Sequence, residues 1–175
     1  MHVEIRRAGP DDAEALALVG RATFLETYAG QLQAVDIIAH CAHEHAAERY
    51  AAWLRDPRHL IWIVEATHGR APVGYAVAAP PDLPVATGPD DLELKRFYVL
   101  GRLHGQGPGR RLMAAVAAGA QAAGARRLLL GVFSANARAI AFYARQGFSQ
   151  AGVRRFRVGE GVYDDLVLAR ALEGV

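Results

Sequence analysis

The amino-acid sequence predicts an α/β domain, one sheet with helices packed on both of its faces. Three observations carry that prediction. Runs rich in β-branched and aromatic residues alternate along the chain with segments of helical period. One strand-like run, "LELKRFYVL", breaks through glycines straight into a helix. A second run, "RRLLLGVF", is apolar at almost every position, as in a strand covered on both faces. No repeat, low-complexity tract or shift of composition marks a second unit, so residues 1–175 read as a single domain.

Taken in order, "VEIRRA" is a short first strand. "GPDDAEALALVGRATFLETYAG" follows as a helix, with Asp11 and Glu14 at capping-box spacing and Leu16, Val19 and Phe24 near one side. Residues 34–54 hold one or two further helices, closed by "RDP". "LIWIVEA" and "VGYAVAA" are strands joined by the turn signal "THGRAP", a hairpin. The proline-rich "PPDLPVATGPDD" is a loop. In "LELKRFYVL", strict period-two alternation puts Glu93, Lys95, Phe97 and Val99 on one face. Pro108 suits the first turn of a helix, where its missing N–H costs nothing. That helix carries Leu112, Met113, Val116 and Ala120 and stops at Gly124. "SANARAIAFYARQGF" is a helix ending on a left-handed cap at Gly147. "VRRFRVG" and "VYDDLVLA" close the chain as strands.

Composition narrows the function classes. Hydrophobic residues make up 52% and charged residues 22%, the balance of a soluble globular protein. No apolar run approaches the ~20 residues of a spanning helix, and the N-terminus lacks the apolar core of a signal peptide. Cys41 is alone, which fits a reducing compartment, and the cytoplasm is the expected location. The net charge of +2 hides an asymmetry: residues 94–159 contain no Asp or Glu but twelve Lys and Arg, while residues 1–93 carry a formal −7. A basic block around a glycine turn points to an anionic ligand. No basic stripe is interleaved with aromatics, so nucleic acid is not expected as a partner.

The glycine turn, "HGQGPGRRLM", is the chemical centre of the sequence. The first N–H groups of a helix lack internal partners, the helix dipole is positive at that end, and glycines let a phosphate approach the backbone. A P-loop would need Gly-Lys-Ser/Thr, but Gly109 is followed by Arg110, Arg111 and Leu112. A dinucleotide fingerprint would need a third glycine and an acid about 20 residues on, and neither is present.

The turn instead resembles the signature of the GNAT superfamily of N-acetyltransferases, Arg/Gln-x-x-Gly-x-Gly/Ala, here His104-Gly105-Gln106-Gly107-Pro108-Gly109. His104 departs from the usual Arg or Gln. "LLLGVFSANARAIAFYARQGF" is similar to the second signature, a strand followed by an Asn-x-x-Ala-x-x-Phe-Tyr helix and Gly-Phe. "ATFLETYAG", the helices after it and "VYDDLVLA" look most like the PaiA-like, polyamine-acetylating branch. The resemblance spans nearly the whole chain and implies a mixed, mostly antiparallel sheet, with acetyl-CoA as cosubstrate.

It also implies roles. The amides from Gly105 to Arg111, through Gly107 and Gly109, would hold the pyrophosphate, with Gln106 in the loop and Arg110 and Arg111 adding charge. The exposed edge at Phe97, Tyr98 and Val99 would pair with the pantetheine arm, the strand bulging there and splaying from its neighbour, and the N–H near Val99 would polarise the thioester carbonyl. Asn136, Ala139 and Tyr143 share one helix face, which would present an amide to the CoA arm and a phenol to its sulfur. Tyr143 is the candidate general acid, with Phe142 read as core, and Glu93 is the candidate base for a protonated amine, through water. Glu26, Tyr28 and Asp36 fall on the acceptor side and suit a cationic amine such as a polyamine. Two alternatives stay open: a silent acyl-CoA sensor, and an enzyme acting on a protein N-terminus. The resemblance also allows a homodimer, with no interface readable in the residues.

The cluster "HCAHEH" has chelating spacings, His40 with His43 and Cys41 with His45, but these pairs point to two helix faces. No metal is expected there.

Overall fold

A computed structural model describes residues 1–158 and 161–172, and the side chains of Phe156, Arg157, Val158 and Tyr163 are not among those described. The basic block's Arg157 side chain and Gly159, the expected end of the first closing strand, therefore lie outside the described residues. The elements run β1 (Val3–Arg7), α1 (Ala13–Tyr28), α2 (Ala34–Glu44), α3 (Ala47–Arg55), β2 (Leu60–Ala66), β3 (Pro72–Ala79), β4 (Asp91–Val99), α4 (Pro108–Ala122), β5 (Arg127–Phe133), α5 (Ala137–Arg145), β6 (Ser149–Val158) and β7 (Gly161–Ala171).

The strands form one seven-stranded sheet in the order β1-β2-β3-β4-β5-β7-β6. Only β4 and β5 run parallel; the other neighbours are antiparallel. That is the mixed, mostly antiparallel sheet the resemblance implied. Two clusters cover its faces. Ile61, Ile63, Tyr75 and Val77 pack with Leu16 and Val19 of α1 and Tyr50 of α3. Trp62, Val64, Ala76 and Ala78 pack on the other face with Leu112, Met113 and Val116 of α4 and Tyr143 of α5. Alternate residues of β2 and β3 thus go to opposite layers, as the pleat requires. Trp62 is almost wholly buried, which alone contributes about 2–3 kcal/mol.

Two expectations about local structure fail. The capping box at Asp11 and Glu14 does not form, because a 3-10 turn over Pro10–Asp12 delays the helix to Ala13. Asp12 is the residue used: its carboxylate accepts from the Gly9 N–H at 2.7 Å and from both terminal nitrogens of Arg6 at 2.8 Å. The alternation across β4 also breaks. Val77 pairs with Arg96 while Ala78 pairs with Leu94, so Lys95 is an extra, bulged residue. Leu94, Phe97 and Val99 consequently join the α4 layer, and Tyr98 joins the α1 layer. Glu93 therefore faces the α1 side, not the face of Phe97 and Val99.

Candidate active site

The strand-to-helix turn is built around two left-handed glycines. Gly105 has φ +78° and Gly107 φ +98°, conformations costly for any residue with a Cβ, while the space beside both is open. Pro108 opens α4, and the first helical N–H to find a partner is that of Arg111, on Gly107 O at 3.1 Å. The turn is tied down from three sides. His104 Nε2 donates to Val99 O at 2.7 Å, Gln106 Nε2 to Arg102 O at 2.7 Å, and the Gly101 N–H to Glu26 Oε2 at 2.6 Å.

Beside the turn the sheet opens. β4 and β5 pair only at Asp91 with Arg127, Leu92 with Leu128 and Glu93 with Leu129. The Asp91 and Arg127 side chains form an ion pair at that closed end, which holds the Asp91 carboxyl below its usual range. From Lys95 to Val99 the β5-facing edge of β4 has no strand against it. A cavity of ≈ 1390 Å³ runs through this gap and is lined from both layers.

On the α4 side the cavity is lined by Phe97, the glycine turn, Arg110 and the α5 residues Asn136, Arg138, Ala139, Phe142, Tyr143 and Arg145. Asn136 is the N-cap of α5, its Oδ1 accepting the Ala139 N–H at 3.0 Å. Tyr143 is 8% exposed and packs among the rings of Phe97, Phe142 and Phe148. Burial raises its pKa, so the phenol keeps its proton at neutral pH.

The opposite mouth is lined by polar groups the sequence did not single out. On β7, Asp165 is 4% exposed and receives Arg154 of β6 through Nε at 3.2 Å and Nη2 at 3.1 Å, both on Oδ2. The Arg154 guanidinium lies over Gly131, where a Cβ would come within 2.4 Å of it. It also reaches Glu93 Oε1 at 3.9 Å, so Glu93, Arg154 and Asp165 form a row across the opened sheet. Glu93 Oε2 is occupied by Lys95 Nζ and the Asp82 N–H, each at 2.8 Å. Tyr28 and Tyr98 line the same mouth, and the pKa of each is raised: Tyr28 chiefly by Tyr98, Tyr98 chiefly by burial. Further out, buried Arg96 donates to Tyr50 Oη at 2.6 Å and Glu44 Oε2 at 3.2 Å, and contacts His45 Nδ1 at 3.0 Å. Burial and this cation depress the His45 pKa to about 2, so its Nδ1 is an acceptor.

Sequence comparison matches the Acetyltransferase (GNAT) family to residues 23–148. The chain belongs to this GNAT family. An uncharacterized N-acetyltransferase of Mycobacterium tuberculosis (strain H37Rv) is 36% identical over 162 residues, covering 92% of this chain and 98% of the relative. Among solved structures, the PaiA N-acetyltransferase of Thermoplasma acidophilum in complex with coenzyme A aligns with a TM-score of 0.78 at 20% identity, covering 98% of this chain and 99% of that one. The ribosomal-protein-S18-alanine N-acetyltransferase of Escherichia coli aligns at 0.68 and 21%, covering 99% and 96%. At those identities the structures establish the fold. The GNAT chain is thus an acetyl-CoA-dependent N-acyltransferase.

Within this GNAT cavity the structure gathers Tyr143, Glu93, Phe97, Tyr98, Val99, His104, Gly105, Gln106, Gly107, Gly109, Arg110, Asn136, Ala139 and Tyr28. Three expected residues fall outside its lining. Arg111 turns toward β1, both terminal nitrogens reaching Val3 O at 3.3 Å. Glu26 is exposed and spends its carboxylate on Gly101, and Asp36 lies in the first turn of α2. The basic block divides likewise. Lys95, Arg127 and Arg154 pair with acids, and Arg110, Arg138 and Arg145 line the cavity along with the glycine turn. His40 stacks on Phe24 at 4.1 Å between ring centroids, and His45 belongs to the Arg96 network. Asp165 and Arg154 could have been flagged only by pairing "VRRFRVG" with "VYDDLVLA" in register, which needs the turn between them.

Proposed function

We propose that the protein transfers the acetyl group of acetyl-CoA to the primary amine of a small molecule, by direct attack in a ternary complex. The observation that carries this reading is the single cavity passing through the sheet, with a protonated phenol on one side of the gap and carboxylates on the other. The pantetheine arm lies along the unpaired edge of Phe97–Val99, and the pyrophosphate sits on the amides of Gly105, Gly107, Gly109 and Arg110. Arg138 and Arg145 join Arg110 as candidates for the 3′-phosphate. The thioester then lies in the gap, where a β4 amide near Val99 polarises its carbonyl.

The amine arrives from the α1 side, loses its proton toward Glu93 or a neighbouring carboxylate, and attacks the carbonyl carbon. The departing sulfur takes a proton from Tyr143. Binding both reactants in one cavity supplies the proximity that makes direct transfer fast. On this reading residues 1–175 are one N-acetyltransferase domain.

The resemblance of "ATFLETYAG" and "VYDDLVLA" to the PaiA-like branch points to a polyamine-type acceptor, and Tyr28 remains in place for it. With Glu26 and Asp36 outside the lining, the acceptor mouth holds Glu44, Asp82, Glu93 and Asp165 against Arg49, Lys95, Arg96 and Arg154. That even balance favours a monoamine or a zwitterionic amine over a long polycation. The test is a thiol-release screen with acetyl-CoA over spermidine, alkyl monoamines, amino acids, arylamines and alanine-terminated peptides. Turnover of small amines above peptides supports the reading; turnover of peptides alone overturns it in favour of a protein N-terminus.

A further inference from the structure

We propose that Asp165, not Glu93, takes the proton from the attacking amine. This rests on the amine-transfer reading above. Both carboxylates line the cavity on the acceptor face, at either end of the Arg154 guanidinium. Their surroundings differ. Glu93 is bound by Lys95 Nζ and the Asp82 N–H at 2.8 Å on one oxygen and approached by Arg154 at 3.9 Å on the other, so it stands between two cations, whereas Asp165 meets one. Asp165 accepts both Arg154 nitrogens on Oδ2, and among the described residues Oδ1 has no donor.

Position reinforces the difference. Glu93 stands at the last residue pair joining β4 to β5, the closed end of the gap. Asp165 pairs with Phe133, four residues further along β5, where the strands have parted. Asp165, Tyr28, Tyr98 and Tyr143 all line the one cavity, so carboxylate and phenol face the same space. Burial pushes the Asp165 carboxyl up against the pull of Arg154, toward the range of a useful proton acceptor.

The amine, its ammonium proton already passed through Asp165 to solvent, forms the C–N bond as a neutral nitrogen, and the C–S bond breaks with its electron pair going to sulfur. One N–H proton passes to Asp165 Oδ1, directly or through one water, and sulfur receives the Tyr143 proton. Asp165 then releases its proton to solvent and Tyr143 regains one, leaving an acetamide and the CoA thiol.

The groups around Asp165 are Arg154 from β6, Tyr28 from α1 and Tyr98 from β4, with Glu93 beyond Arg154, while the adjacent Asp164 lies on the other face of β7 and acts through its charge alone. The experiment measures kcat against pH for wild type, Asp165→Asn, Glu93→Gln and Arg154→Met, with whichever amine or peptide wild type turns over. A failure of the small-molecule reading shows in that acceptor screen and leaves this comparison intact. Asp165→Asn is expected to lower kcat ~10²-fold near neutrality and to abolish the acidic limb, with acetyl-CoA titration confirming a folded protein. Glu93→Gln is expected to keep the limb. Arg154→Met leaves Asp165 in place and removes its cation, so the limb moves to higher pH; because Arg154 also approaches Glu93, the same shift measured in the Glu93→Gln background decides if the Asn variant does not fold. A limb that survives Asp165→Asn, or that vanishes in Glu93→Gln while Arg154→Met leaves it in place, overturns the proposal.

Discussion

His104 reaches back five residues and donates its Nε2–H to the carbonyl of Val99 at 2.7 Å, fastening the glycine turn to the end of β4. The side chain at the first signature position is therefore a brace between the proposed pyrophosphate cradle and the proposed thioester strand. Its removal should loosen the cradle without removing any amide from it. His104→Ala is expected to weaken acetyl-CoA binding about 2- to 10-fold, the worth of one hydrogen bond, as read by calorimetric titration.

Tyr143 offers a second, sharper test. Its ring is held by three aromatic neighbours that do not depend on the hydroxyl. Tyr143→Phe is expected to fold, to bind acetyl-CoA within about twofold of wild type, and to lose ~10²-fold in kcat. An unchanged kcat would remove this residue from the chemistry.

His45 gives the fold a pH signature. It is buried and neutral, its pKa depressed to about 2 by burial and by Arg96. In the unfolded chain the imidazole titrates near ~6.5. Between those values the unfolded state binds the extra proton, so stability is full above pH ~6.5 and declines as pH falls, by up to ~1.4 kcal/mol per pH unit from this group. His45→Asn should flatten that decline in melting curves taken between pH 7 and 4.5.

Arg6 clamps two acids from different elements, Asp12 at 2.8 Å and Glu65 at 2.9 Å, and lowers both of their pKa values. Such carboxylates stabilise the fold above their unfolded pKa values, near ~4, and the contribution is lost as pH drops through the lowered, folded ones. Arg6→Met is expected to cost about 1–3 kcal/mol at pH 7 in urea denaturation and to move acid unfolding to higher pH.

The order of elements, the turn, the left-handed cap at Gly147 and the helix face of Tyr143 were all legible because local rules govern them. Glycines such as Gly107 at φ +98° and Gly147 at φ +84° signal their own conformations. The face of Glu93 was not legible. One bulged residue, Lys95, inverts the phase of β4, and nothing in "LELKRFYVL" distinguishes a bulge from regular strand. Glu26 was misplaced for a related reason: its position on α1 was right, but its partner, the Gly101 N–H, lies 75 residues away. Asp165 and Arg154 meet across a hairpin, over a glycine of a third strand. Long-range pairings of that kind leave no periodic trace in the chain.

The three residue pairs between β4 and β5 have a consequence for how long the protein lasts. At its middle the sheet is joined by those three pairs alone among the described residues, while β3 and β4, and β5 and β7, pair along most of their lengths. An extended, amide-bearing cofactor arm laid in the gap would serve as a removable strand, zipping the halves together. At a hundredfold excess over its dissociation constant, such a ligand adds about 2.7 kcal/mol to folding stability. The fraction of time the seam stands open to proteases would then follow the supply of acyl-CoA. An enzyme of this design is expected to persist when its cosubstrate is plentiful and to be cleared when it is scarce.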